Sequence, residues 1–407
     1  MSEFLDKKKG AALALLCAAV YFVSYVSRIN MSAVLVEIIQ SGFAKRSVAA
    51  LTLTACSITY GVGQIISGYL GDRFKPQYII FTGFMVTSLM NILVSLMPNG
   101  TLLVPIWAVN GFAQAMMWPP LITILAQNLE PDQYRKACVH VSWGSSFGTI
   151  AVYLLAPLLI KYASFKAVFI VSGIMALLMG IFWVVIFGKN FSGERKSPEV
   201  TKTEPPSQDR FTASTVVLLI FIMFAIVLQG ALRDGVSNWM PSYVSEIFSL
   251  GSSASILTGV ILPVFSIISF QAAQFIYEKL IKNELTCACS FFLIGCISAV
   301  LLNITGSKSV LVSLLMFALL VGSMHGVNLI LICMVPPHFK RFGRVSLVSG
   351  VINSCTYVGS AISTYGIAVF TDAFGWSATS LLWAFIAIAG ALTCIAFSKK
   401  WDRFTAK

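Results

Sequence analysis

Tyr21-Phe22-Val23-Ser24-Tyr25-Val26-Ser27-Arg28-Ile29-Asn30 lies inside an apolar run from about residue 11 to residue 36, where Arg28 is the one charged side chain. A run of that length crosses a bilayer core of roughly 30 Å as a helix. An arginine near its middle costs about 2.5–3.5 kcal/mol even on a lenient insertion scale, so a compensating partner is implied. No acidic residue lies between 7 and 36. A bound anion is therefore the leading candidate, and snorkelling to a headgroup or pairing with a buried acid is the alternative. At helical spacing Tyr21, Tyr25 and Arg28 share one face, which reads as two phenols and a guanidinium turned toward a polar cavity.

The rest of the chain agrees with a membrane setting. Of its 407 residues, 57% are hydrophobic and 11% are charged, against about 25% charge in soluble proteins. Twelve spans are expected, at about 11–35, 47–70, 78–97, 102–128, 137–160, 166–188, 213–238, 253–277, 285–304, 310–336, 345–370 and 377–398. The Pro-, Ser- and charge-rich segment 189–212 reads as a linker. It divides the chain into six-span halves at 1–188 and 213–407. The alternate segments that begin with the N-terminus hold 21 of the 28 Lys and Arg residues, the opposite segments five, and the spans two. By the positive-inside rule both termini are cytoplasmic, with the protein in the plasma (inner) membrane. The net charge of +12 is then a topology signal and not a nucleic-acid patch. Most of the nine cysteines sit in apolar runs, and Cys287 and Cys289 form a lone C-x-C, so neither a metal nor a cofactor is expected. Without a Walker loop or nucleophile elbow, ATP-driven transport and hydrolysis have no residues to carry them, and an enzyme is not expected.

The halves repeat. Arg28 and Arg233 are 205 residues apart, Asp72-Arg73 and Glu278-Lys279 are 206 apart, and Arg135-Lys136 and Lys340-Arg341 are 205 apart. A fixed offset marks internal duplication. In transporters such halves are related by an axis along the membrane normal, with the substrate at mid-depth between them. Tyr60 and Gln64 share a face of span 2, His325 and Asn328 a face of span 10, and Asn353 and Tyr357 a face of span 11. Polar pairs of this kind line cavities or hold membrane helices together. Asp234, about 100° round the helix from Arg233, has three roles open to it: structural pairing, neutralising an arginine, or carrying a proton. Trp118-Pro119-Pro120 is expected to kink span 4.

Gly68-Tyr69-Leu70-Gly71-Asp72-Arg73-Phe74-Lys75 resembles the loop signature that follows span 2 in major facilitator proteins. Gly68, Asp72 and Arg73, with the degenerate Glu278 and Lys279, are the expected gating residues. Three stretches resemble the organophosphate:phosphate antiporter family: Tyr21–Asn30, Asn110–Pro120 and Leu232–Tyr243. That resemblance implies an all-α major facilitator fold of twelve helices in two pseudo-symmetric halves, with phosphate held between Arg28 and Arg233. It also assigns Tyr21, Tyr25, Tyr60, Gln114, Trp118, His325 and Tyr357 to the pocket. Where the family often has lysine in span 2 this chain has Gln64. The stretch Ser142–Ser146 lacks the histidine that the family often carries in span 5. Asp234 stands where an aromatic is usual. The implied function is exchange of a small phosphorylated organic anion for inorganic phosphate by a monomer in the lipid bilayer. A proton- or cation-coupled carboxylate symporter using Asp234 or His325 is the alternative, and a transporter-like sugar-phosphate sensor ranks below it.

Overall fold

The computed structural model describes residues 5–191, 211–249 and 261–406. Among them there are helices and no strands. In chain order these are α1 (Lys7–Ala33), α2 (Leu35–Gln40), α3 (Arg46–Gly71), α4 (Pro76–Leu96), α5 (Leu103–Gln114), α6 (Trp118–Asn128), α7 (Pro131–Tyr162), α8 (Phe165–Asn190), α9 (Ala213–Phe248), α10 (Ile261–Lys279), α11 (Glu284–Thr305), α12 (Val310–Asn328) and α13 (Val345–Thr405). Their starts are written locally. The Asp6 side chain accepts from Lys9 N at 2.8 Å, Thr212 and Asn283 cap α9 and α11 in the same way, and proline stands at the first turn of α4 and α7. Each device meets backbone N–H groups that lack helical partners, or removes one.

Among the described residues, eleven helical stretches are long and apolar enough to cross a membrane, by length and composition. The remaining expected span, 102–128, is present as the shorter pair α5 and α6. Pro119 and Pro120 have no N–H to offer the carbonyls of Ala115 and Met116. The chain tightens there, with Met116 N bonding Ala113 O and Met117 N bonding Gln114 O. The expected kink is thus a break. Span 10 also departs from one uniform helix. It runs as α12, then a π-helical segment Leu329–Met334 and a 3-10 segment Pro336–Phe342. Spans 11 and 12 are both within α13, which is interrupted at Gly375, where φ is +75°. Glycine takes that conformation without a steric cost. Residues 192–210 of the linker and 253–260 of span 8 lie outside the described residues.

The chain divides into two compact units. Unit 1 is Met1–Arg210 with Phe339–Ser354, and unit 2 is Phe211–His338 with Cys355–Lys407. Within unit 1, α1 packs chiefly on α7, α3 on α5 and α4 on α8. Glycine makes the α1–α7 approach close. A Cβ on Gly144 would lie 2.4 Å from Ala18 O, and one on Gly148 would lie 2.6 Å from Phe22 O. Within unit 2 the equivalent pair, α9 and α13, meets in the same way. A Cβ on Gly359 would lie 1.9 Å from Val227 O, and one on Gly230 would lie 2.1 Å from Thr356 O. Phe22 and Val227 are themselves 205 residues apart. Small residues allow this approach where membrane helices pack by van der Waals contact.

Two polar clusters fix the ends of elements. In unit 1 the Asp72 carboxylate, just past α3, accepts from the N–H groups of Ser346 at 2.8 Å and Leu347 at 2.9 Å. It thereby caps the first turn of α13 from outside that helix. Gly68, Gly71 and Gly350 bring the two backbones together, since a Cβ on Gly68 would lie 2.6 Å from Ser346 O and one on Gly350 2.1 Å from Gln64 O. In unit 2 the buried Glu284 accepts from Tyr277 Oη at 2.6 Å and Trp401 Nε1 at 2.6 Å, and its Oε1 lies 2.8 Å from His338 Nε2.

Candidate functional site

Unit 1 gathers five of the expected residues, Arg28 among them, into one cluster. The Arg28 guanidinium carbon lies 4.3 Å from the Tyr25 ring centroid and 4.4 Å from that of Tyr60. Both distances are within cation–π range. Tyr21 stacks obliquely on Tyr25 at 5.1 Å and on Trp118 at 5.0 Å. The i, i+4, i+7 spacing on α1 supplies three of these residues, α3 supplies Tyr60 and α6 supplies Trp118.

Gln114 and Trp118 flank the break in span 4. Gln114 ends α5 and Trp118 begins α6. Ser24 Oγ donates to Gln114 Oε1 at 2.5 Å. Gln114 Nε2 and Trp118 Nε1 are buried and have no hydrogen-bond partner. Buried donors in that state are uncommon and costly. Both are of the kind an oxyanion satisfies.

Behind this cluster is a set of amides the sequence reading did not single out as a group. Asn30 Nδ2 donates to Asn91 Oδ1 at 2.7 Å, Asn91 Nδ2 donates to Thr87 O and Ser27 O, and Asn110 Nδ2 donates to Ser27 O at 3.3 Å. The set ties α1 to α4 and α5 one turn from Arg28 and holds the helix that presents it. The bonds between these helices join residues 61 to 83 positions apart in sequence, a separation that leaves no periodic signal.

Gln64 is fully buried, and its Oε1 accepts from Asn353 Nδ2 at 3.1 Å. It joins α3 to α13 within unit 1, one helical turn from Tyr60. His140, two residues before the Ser142–Ser146 stretch, is a span 5 histidine that a search confined to that stretch misses. It is exposed and lies 5.5 Å from the Trp143 ring.

Unit 2 builds its own charged group. Arg233 Nε bonds Asp234 Oδ1 at 2.7 Å and Arg233 Nη2 bonds Asp234 Oδ2 at 3.0 Å. Among the roles open to Asp234, the geometry is that of an arginine pair. Ser360 on α13 donates to the same carboxylate, and His325 is within electrostatic range of both charges. Gly230 and Gly235 on α9 both press on α13, which brings Ser360 within reach. His325 lies one turn before the π-helical segment and meets the Phe270 ring edge-on at 5.3 Å. Segments of this kind often accompany functional positions. Tyr357 is half-buried on α13, beside the Thr356 carbonyl that abuts Gly230.

The gating residues are placed unequally. Asp72 makes the cap described above, and Arg73 lies over the Tyr69 ring at 4.2 Å. Burial raises the Asp72 carboxyl to about 6, opposed by the Leu347 and Ser346 N–H groups and by Arg344. Glu278 accepts from Gln274 Nε2 at 2.8 Å, and Lys279 ends α10. Among the described residues no group of three His, Cys, Asp or Glu side chains forms a metal site.

Long apolar helices, each unit carrying an arginine within a span, and one span broken beside unpartnered donors define a multi-pass membrane transporter. The Major Facilitator Superfamily model matches residues 17–364. The chain belongs to that superfamily. It is 25% identical over 385 residues to the glycerol-3-phosphate transporter of Bacillus subtilis, covering 87% of this chain and 84% of that protein. It is 23% identical over 244 residues to the membrane sensor protein UhpC of Escherichia coli, covering 56% and 55%. Over a shorter stretch of 123 residues it is 29% identical to a probable hexose phosphate transport protein of Chlamydia muridarum, 30% of this chain and 27% of that one. Its fold matches the Escherichia coli fucose:proton symporter, with a TM-score of 0.72 at 14% identity over 94% of this chain and 98% of that chain. A proton:xylose symporter matches at 0.72 and 14% over 97% of each. These relatives are transport proteins and a membrane sensor, and the fold is that of the superfamily.

Proposed function

We propose that the chain exchanges a small phosphorylated organic anion, a sugar or glycerol derivative, for inorganic phosphate by alternating access. The observation that carries the reading is the Arg28 cluster: a guanidinium between the Tyr25 and Tyr60 rings, near two buried donors, Gln114 Nε2 and Trp118 Nε1, that lack partners. Guanidinium and N–H donors recognise oxyanions, and tyrosine rings supply an apolar wall for a carbon backbone. The likeness to the Bacillus subtilis glycerol-3-phosphate transporter, over 84% of its length, supports the same substrate class.

The mechanism follows from desolvation. Occlusion strips water from the charged side chains of the site, which is costly. An oxyanion that engages Arg28 and Arg233 offsets that cost, so the loaded carrier changes state more readily than the empty one. The Asp72 cap on α13 forms in one state and is released in the other, with both termini on the cytoplasmic side of the plasma membrane. A second reading, proton-coupled symport of a carboxylate, is favoured by one observation, the grouping of Asp234, Arg233 and His325.

Uptake of labelled phosphate into phosphate-loaded proteoliposomes tests the proposal. Saturable exchange that is lost in Arg28→Ala and Arg233→Ala, and severely reduced in Arg28→Lys because lysine lacks the bidentate fork, is the expected result. A folded wild-type protein without phosphate exchange sinks it. Uptake that instead follows an imposed pH gradient without internal phosphate favours the carboxylate symporter.

A further inference from the structure

We infer that Asn91, on a helix that supplies none of the expected substrate-binding residues, is a positioning residue for Arg28: it holds the peptide plane from which Arg28 projects and so sets the affinity of the site for its oxyanion. The inference rests on the reading that Arg28 binds substrate, and it concerns unit 1 alone.

Ser27 O and Arg28 N belong to one peptide unit, whose atoms are planar from the Ser27 Cα to the Arg28 Cα. Whatever grips that oxygen therefore grips the root of the arginine side chain. Two side-chain amides do so, Asn91 Nδ2 from α4 at 3.2 Å and Asn110 Nδ2 from α5 at 3.3 Å. In an uninterrupted α-helix Ser27 O is the acceptor for Met31 N. Here Met31 N has the Asn30 Oδ1 atom at 2.9 Å, and Asn30 Nδ2 donates to Asn91 Oδ1 at 2.7 Å. The Ser27 hydroxyl donates to Val23 O at 2.6 Å within its own helix. The grip is thus on the backbone and not on the serine side chain.

The bonds run in one direction. The Met31 N–H starts the chain, and two carbonyls, Thr87 O and Ser27 O, end it. A turned amide at Asn30 would set its NH2 against the Met31 N–H, and one at Asn91 would set its oxygen against both carbonyls. Ser27, Asn30, Asn91 and Asn110 are all fully buried, so water does not compete for these bonds.

Asn91 is the principal holder. It accepts from Asn30 and donates to both Thr87 O and Ser27 O. Asn110 makes the Ser27 contact alone, and its Oδ1 has no partner. One turn further along α5, Gln114 accepts from Ser24 Oγ on α1. The α1–α5 pair therefore fixes the root of Arg28 and the Gln114 amide relative to each other. The Tyr25 and Tyr60 rings bound where the guanidinium lies, and Asn91 fixes where its side chain starts. A guanidinium fork meets an oxyanion well only when position and direction are both right.

The test measures KM and maximal rate for phosphate exchange in phosphate-loaded proteoliposomes. An Asn91 that served folding alone would change the amount of active carrier, and so the maximal rate, without moving KM. In Asn91→Ala, KM for phosphate is expected to rise about three- to tenfold, the range of one ordinary hydrogen bond, with the maximal rate per folded carrier little changed. Asn110→Ala is expected to raise KM in the same direction by a smaller factor. Ser88→Ala lies on the same helix but loses a bond to Gly173 O of α8, and its KM is expected to match the wild type. An unchanged KM in folded Asn91→Ala overturns the inference and leaves anion binding by Arg28 standing. If Asn91→Ala does not fold, Asn110→Ala decides: an unchanged KM there overturns the inference in the same way. An equal rise in Ser88→Ala also overturns it, because any loosening of α4 would then suffice. A folded wild type without phosphate exchange defeats the reading on which the inference rests, and the inference falls with it.

Discussion

Trp118 shows how much function depends on one atom. Its indole ring packs on Tyr21 at 5.0 Å, and its Nε1–H is buried without a partner. Packing and hydrogen bonding can be separated by Trp118→Phe, which keeps an aromatic ring and removes the donor. If the N–H meets a substrate oxyanion, the lost bond is worth about 1.5–3 kcal/mol, or roughly 10- to 100-fold in apparent affinity. Stability should hold or rise slightly, because an unsatisfied buried donor has been removed. Competition binding together with a melting curve checks both halves of this expectation. Unchanged affinity would reduce Trp118 to packing.

At the scale of elements, Glu284 joins four segments of unit 2: the end of α10 through Tyr277, the start of α11, the 3-10 segment through His338 and the end of α13 through Trp401. Its side chain is 4% exposed. Glu284→Ala leaves three donors facing an apolar gap and should cost about 3–5 kcal/mol, seen as a lower melting temperature in detergent, with substrate preference unaltered in whatever fraction stays folded. Gly359→Ala strikes a different contact. A methyl group 1.9 Å from Val227 O has no flexible neighbour to displace, so α9 and α13 must separate. Loss of the monodisperse peak in size-exclusion chromatography is the expected outcome, and a well-behaved Gly359→Ala protein would contradict the close packing. The sequence pattern made much of this level readable. Span lengths, the repeat of Arg28 and Arg233, and the face shared by Tyr21, Tyr25 and Arg28 all follow from period and spacing. Trp118-Pro119-Pro120 signalled a distortion, though not that span 4 would divide into α5 and α6. The contacts of Glu284 with His338 and Trp401 and of Asn30 with Asn91 were not readable, because they join residues 54, 117 and 61 positions apart. The Asp234–Arg233 pair was one of several options for the opposite reason: neighbours on a helix point about 100° apart, and only side-chain conformation decides whether they turn toward each other.

At the scale of the whole molecule, the boundary between the two compact units falls inside one helix, α13, between Ser354 and Cys355. The first turn of that helix is capped by Asp72, 274 and 275 positions away in sequence from the amides it accepts. A cap supplied from another helix can be made and broken as a conformational step, which a cap from the helix's own flank cannot. Its strength should depend on pH. Burial raises the Asp72 carboxyl from its ordinary 3.8 to about 6 in the capped form. Between those values the capped form binds a proton that an uncapped, solvated Asp72 does not. Lowering pH through about 6 therefore favours the capped form, and raising pH through the same range weakens it. Amide hydrogen exchange over Ser346–Gly350, corrected for the intrinsic pH dependence of exchange, should show relative protection that increases on acidification from pH about 7.5 to about 5. Asp72→Asn, which cannot titrate, should flatten that dependence. Protection in the wild type that falls on acidification would mean that the two backbone hydrogen bonds outweigh the cost of burial, and would reverse the sign of the switch.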